Sequence, residues 1–230
     1  MYRIVDFLSI FVFAVLYITI SGCNGFPASS KVSEGKITYG IEFFNSDDNV
    51  LVPLLPQKIE MKFKNNNSII VINGFMGTFS LNYVTLLKKN KSYSMLRVFD
   101  KKFIYNGDTS SLSFGYSNMK NVRIEKTNDT ATIAGYLCHK ALAYCPDVSQ
   151  NPFELFYTND IRINRPNVNN PFKDLDGVLL GFQVILCGIN MKFTALDVVS
   201  EKINDSIFEV PEGYTPISCA EMEDMINQYN

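Results

Sequence analysis

Apolar and polar residues alternate with a period of two through most of this chain, and that alternation limits the fold more than any other feature. Ile37, Tyr39, Ile41 and Phe43 alternate with Thr38, Gly40 and Glu42. This is the pattern of a half-buried strand, whose successive side chains point to opposite faces. Ile59, Met61 and Phe63 alternate with Lys58, Glu60, Lys62 and Lys64, giving one apolar and one charged face. Asn65-Asn66-Asn67 reads as a tight connection, after which Ile69, Ile70, Val71 and Ile72 return as a strand to Asn73-Gly74. Residues 80–87, 93–99 and 102–105 repeat the grammar, and 121–125 is a further short strand. No segment between the N-terminal apolar run and residue 200 sustains a helical period of 3.6. The spacing predicts a long antiparallel meander with one face toward solvent.

Residues 7–20 form an almost wholly apolar run, interrupted only by Ser9 and Thr19 and followed by Ile20-Ser21-Gly22-Cys23. A transmembrane helix needs roughly 20 apolar residues, and the run is too short; it fits the apolar core of a secretory signal, roughly 7–15 residues ending in small residues. A branched aliphatic, two small residues and a cysteine at the end of such a run resemble the lipobox of bacterial lipoproteins. The resemblance implies that residues 1–22 are a signal peptide, that Cys23 is acylated (palmitate among its acyl groups), and that the mature chain is held on a membrane of the cell envelope. Two or more acyl chains anchor stably where one does so only marginally. Cleavage of a plain secretory signal beside an uninvolved Cys23 is the alternative. Residues 23–34, small and polar around Phe26-Pro27-Ala28-Ser29-Ser30, read as a flexible tether. Residues 35–217 form the β domain and 218–230 a C-terminal helix.

The formal charge of −2, the pI near 5.5 and the lack of a Lys/Arg run argue against nucleic acid as a partner. Besides Cys23 there are Cys138, Cys145, Cys187 and Cys219. In an oxidising compartment an even number permits two disulfides; small apolar core residues are the equal alternative. If residues 133–145, 153–160 and 180–187 are consecutive neighbours, Cys138 and Cys187 lie about two strand spacings apart (~9.6 Å), beyond the ~7 Å that a disulfide bridges. Cys145 and Cys187 would then share one end of the sheet, and they are the candidate pair. His139 is the chain's one histidine. It follows Cys138 in a strand, where adjacent side chains point apart and cannot share a metal. No zinc, nucleophile-elbow or phosphate-loop motif is present, so no catalytic residue, metal ligand or cofactor is assigned and enzyme activity is not expected.

The second half of the chain carries a family resemblance. Ile133-Ala134-Gly135-Tyr136-Leu137-Cys138-His139-Lys140, Tyr157-Thr158-Asn159-Asp160-Ile161, Leu175-Asp176-Gly177 and Asp205-Ser206-Ile207-Phe208-Glu209-Val210-Pro211-Glu212-Gly213-Tyr214 follow one another. Their order is similar to that of GLPGLI-type and related envelope lipoproteins of Gram-negative bacteria, with Asp176 where that pattern has proline. The resemblance implies a fold like the LolA/LolB carriers, a curved, incompletely closed antiparallel sheet (an open half-barrel) around an apolar hollow, with a few short helices. It also implies attachment to the outer membrane, on its periplasmic or its surface side.

Residues 162–174 hold Asn164, Pro166, Asn167, Asn169, Asn170 and Pro171 with Arg162, Arg165 and Lys173. The expectation is a solvated, flexible loop, with partner binding as the alternative. Ser218 and Glu221 form a capping box, placing Met222, Met225 and Ile226 on one helical face. The function expected is that of a membrane-anchored envelope lipoprotein binding a lipid or other apolar ligand. The alternative is an interaction or structural module for an envelope protein partner. The sequence names no ligand-binding residues.

Overall fold

A computed structural model of the chain describes residues 31–44, 52, 55–77 and 79–227. The expected signal peptide and Cys23 lie outside the described residues. One sheet holds twelve strands: β1 (Glu34–Phe44), β2 (Lys58–Lys64), β3 (Asn67–Asn73), β4 (Phe79–Leu86), β5 (Lys91–Val98), β6 (Lys101–Gly107), β7 (Arg123–Ile133), β8 (Tyr136–Tyr144), β9 (Phe153–Thr158), β10 (Val178–Leu186), β11 (Ile189–Val199) and β12 (Thr215–Pro216). Their order is β12-β6-β5-β4-β3-β2-β1-β11-β10-β9-β8-β7. The strands pair antiparallel with their neighbours, except that β12 lies parallel to β6. Two meanders, β2–β6 and β7–β11, are therefore joined through β1, which pairs with β2 on one side and β11 on the other. The sheet is curved and does not close. The expectation of a mainly β open half-barrel with a C-terminal helix holds.

Local chemistry sets the hairpins. The β2–β3 turn places Asn65 and Asn66 at φ 53° and 68°, and the β7–β8 turn places Ala134 and Gly135 at 49° and 80°. Cys187 and Gly188 do the same between β10 and β11, at 50° and 79°. Two central residues at positive φ give the turn hand that matches strand twist. Asn65-Asn66 was legible as such a connection, because asparagine tolerates the left-handed region.

The concave face carries the main core, with Ile37, Ile59, Met61, Phe63, Leu155 and Phe193 among its buried residues. The convex face was expected to meet solvent. Over β3–β6 it does not, since Ile69, Val84, Leu86, Met95 and Ile104 are buried there against Ile203 and Phe208. The segment after β11 supplies this cover. Ile203 N donates to Glu34 Oε1 at 2.6 Å, Lys64 Nζ donates to Ile203 O at 2.9 Å, and the Asn204 side chain accepts from Ser206 N at 3.1 Å. The lysine that reads as a solvated outer residue of β2 thus anchors the covering segment by its amine.

The domain begins earlier than its sequence boundary. Glu34 opens β1, and Val32, assigned to the tether, is buried and bridged to Ile161. Arg162 N donates to Val32 O at 2.7 Å, which satisfies a carbonyl that a solvated tether would leave to water. At the other end, helix α1 (Cys219–Asn227) has the expected capping box. Ser218 N and Oγ donate to Glu221 Oε2 at 2.8 and 2.7 Å, and Glu221 N donates back to Ser218 Oγ at 3.2 Å. Met222 is fully buried in the main core.

Candidate functional site

Two connections leave the sheet and fold over its concave face. The first, between β6 and β7, puts Phe114 and Met119 into the core, both fully buried. The second, between β9 and β10, is the Asn- and Pro-rich stretch expected to be a solvated flexible loop. It is instead a packed strap, in which Val168, Phe172 and Leu175 are buried together with Asn167 and Asn169. The asparagines make this feasible by taking up backbone groups that burial would otherwise orphan. Asn167 Nδ2 donates to Leu175 O at 2.8 Å and Gly177 O at 2.9 Å. Asn169 Nδ2 donates to Asp108 O and Ser111 O at 2.8 and 2.9 Å, and its Oδ1 accepts from Thr85 Oγ1 at 3.2 Å. Asn170 Oδ1 accepts from Phe172 N at 2.8 Å. One set of residues thus ties the strap to itself, to β4 and to the β6–β7 connection.

Beyond the strap the concave face stays open. An apolar cavity of about 230 Å³ lies there, lined by aliphatic and aromatic side chains with Cys187 and Met191. β1 contributes Ile41 and Phe43, β3 Ile72, β4 Phe79 and Leu81, and β10 and β11 Leu186, Ile189 and Phe193; α1 adds Ile226. Strand alternation explains why the strand residues converge, since each is an inward position of its strand. A second cavity, of about 70 Å³, lies between the strap and the sheet and is lined partly by Ser68, Thr85, Ser113, Asn167 and Asn169.

The electrostatics match the lining. Burial, reinforced by Glu223 and Cys219, pushes the Cys187 thiol up to about 12. Burial likewise raises the Tyr39, Tyr83 and Tyr116 hydroxyls well above the ordinary tyrosine range. Tyr39 donates to Leu179 O and Tyr83 to Phe114 O, each at 2.8 Å, so these rings are fixed in place. A thiol raised this far stays protonated at neutral pH, so Cys187 adds an uncharged group to the lining.

The Cys145–Cys187 pairing considered from the sequence is not formed. β8, β9 and β10 are consecutive neighbours as assumed, yet the 114–119 connection fills that end of the sheet. Cys145 keeps its thiol, with Sγ at 3.9 Å from Asn118 O, while Cys187 N donates to Gly115 O at 2.8 Å. Cys138 is buried and His139 exposed on adjacent positions of β8, and the imidazole lies against Tyr157 with ring centroids 5.7 Å apart. Among the described residues no His, Cys, Asp or Glu cluster could hold a metal, and no helix is long and apolar enough to cross a membrane.

No family model matches this sequence, and none of the curated proteins is significantly similar to it. The lining residues escaped sequence reasoning as a set. Alternation places Ile41, Phe43, Ile72 and Leu81 on inward faces, but nothing in it tells a hollow from a filled core.

Proposed function

We propose that this protein is a membrane-anchored lipoprotein of the cell envelope that binds an apolar ligand, such as a lipid or acyl chain, in its curved sheet. The observation that carries the reading is the 230 Å³ cavity with no charged or hydrogen-bonding side chain in its wall except the Cys187 thiol. A cavity of roughly 150 Å³ lined by carbon stays dry and takes up benzene, and drug-sized pockets begin near 300 Å³. The space therefore suits one chain segment, not a multi-chain lipid. Each buried methylene contributes about 0.8 kcal/mol, against an association cost of 4 kcal/mol or more, so the bound chain needs several methylenes inside.

The N-terminal resemblance to a lipobox supports the anchor at Cys23, and the order of motifs after residue 130 supports an envelope role like that of GLPGLI-type and LolA/LolB-like proteins. Mass spectrometry of the mature N-terminus is expected to find an acylated Cys23, and Cys23→Ser is expected to leave the domain folded but unacylated. An unmodified wild-type N-terminus would remove the anchor from the proposal. For the rival reading, an interaction or structural module, the 162–174 loop is packed into the fold but keeps Arg162, Arg165 and Lys173 exposed. That reading also has β7, a long exposed edge strand, although Arg123, Glu125 and Lys126 and a register shift between Lys126 and Thr130 are features that discourage edge pairing.

The cavity is tested by filling it. Leu81→Trp puts a large ring into the space and is expected to weaken binding of a fluorescent fatty-acid reporter by about tenfold or more, a loss of roughly 1.4 kcal/mol. Leu137→Trp, at an exposed position on β8, is expected to leave binding unchanged. The chain has no native tryptophan, so each variant also carries its own fluorescent report of folding. Equal reporter affinity in both variants would refute the cavity as the binding site.

A further inference from the structure

The two cavities occupy successive inward positions on the same strands. β1 gives Ile41 to the larger and Tyr39 to the smaller; β3 gives Ile72 and Ile70, β4 Leu81 and Tyr83, and β10 Leu186 and Val184. Residues two apart on a strand are separated by about 6.6 Å, so the cavities lie end to end along the groove with one layer of side chains between them. That layer contains an aromatic pair with a ring in the lining of each. Phe182 lines the smaller cavity and Phe193 the larger. They sit opposite one another on β10 and β11 and stack with centroids 5.0 Å apart, and Tyr39 meets both edge-on.

The smaller cavity differs in chemistry. Its wall offers hydroxyls and amides but no charged side chain. The amide donors of Asn167 and Asn169 are committed to carbonyls. The hydroxyls of Ser68, Ser113 and Tyr116 make no hydrogen bond among the described residues, so they stand ready to bond a guest. At about 30 Å³ per water-sized group, 70 Å³ admits a head of a few heavy atoms.

Resting on the acyl-binding reading above, we infer that the two cavities are the two ends of one site for a single-chain amphiphile with an uncharged, hydroxyl-bearing head. The chain lies in the apolar cavity and the head under the strap, and Phe182 is the residue that must turn aside to join them. Phe182 is suited to this, being only partly buried where Phe193 is almost wholly so. A carboxylate or phosphate head is disfavoured because no cation lines the compartment to pay for its desolvation.

The test compares a long-chain primary alcohol, whose head is one CH2OH group, with the fatty acid of equal chain length at pH 7, by displacement of the fluorescent reporter from the full chain. The alcohol is expected to bind about tenfold tighter. Ser113→Ala and Tyr116→Phe, singly and together, are expected to weaken the hydroxyl-headed probe and so bring the two probes to within about threefold; the single Ser113→Ala variant serves if the double variant melts early. Phe182→Ala is expected to shift the preferred alcohol to a longer chain. If both probes bind equally and none of the variants changes their ratio, the joined site is refuted while the apolar cavity stands. If neither probe binds, the acyl-binding reading falls and the joined site with it.

Discussion

Replacing Phe172 with alanine is expected to lower the unfolding free energy by about 3–5 kcal/mol, the usual range for removing a buried phenylalanine. The ring is fully buried and meets Phe182 edge-on at 6.4 Å. It anchors the strap to the sheet, and it also lines the smaller cavity. Its loss therefore removes apolar burial and leaves a void beside one that already exists, which limits how far the site can collapse. Urea unfolding measures the loss, and amide hydrogen exchange in residues 162–177 should show that protection falls most there. A cost below about 1 kcal/mol would mean that the strap rests on the sheet without being held by it.

Asn167→Asp is expected to cost about 3–5 kcal/mol at neutral pH, as for a buried charge with no cation beside it, its one side-chain donor being Asn170 Nδ2 at 3.2 Å. The wild-type amide donates to two carbonyls, and the variant turns an acceptor oxygen toward the same groups at a site only 3% exposed. Burial and those carbonyl dipoles raise the pKa of the new carboxyl in the folded state above the ordinary ~3.9. A raised folded-state pKa means that stability is fully present below about pH 3.9 and is lost as pH rises toward the folded value, at about 1.4 kcal/mol per unit. The gap between variant and wild type should thus narrow on acidification toward pH 4. Asn167→Ala, which loses the bonds without adding charge, should show a gap that does not change with pH. Parallel behaviour of the two variants would show that the position is solvated.

The sheet was readable because most of its strands keep a wet face. Lys58, Glu60, Lys62 and Lys64 frame Ile59, Met61 and Phe63 so sharply that strand, face and hairpin follow together, and Ser218 with Glu221 marked the C-terminal helix for a comparable local reason. The strap was misread because its polarity is directed inward. Asn167, Asn169 and Asn170 are polar in composition yet spend their hydrogen-bonding capacity on buried carbonyls and amides, and no local pattern distinguishes that from hydration. The convex cover over Val84 and Met95 was missed for a related reason. It depends on a segment more than a hundred residues away along the chain, joined by Lys64 and Glu34 from strands that look solvent-facing. The cavity was out of reach because it is a shortage of side-chain volume among inward residues, and alternation records their direction but not their fit.

Because β1 is the seam between the two meanders, the order in which the chain is made does not match the order in which the sheet can close. Ile41 pairs with Phe193, roughly 150 residues later. At about 5–20 residues per second, synthesis delivers that partner about 8–30 s after β1. The β2–β6 meander can form within that time beside a first strand with one bare edge. Its other half then arrives as a second meander built around β11. Any factor that shields a lone strand during this interval would act on β1, and slowing synthesis after residue 107 should lengthen the period in which it is needed.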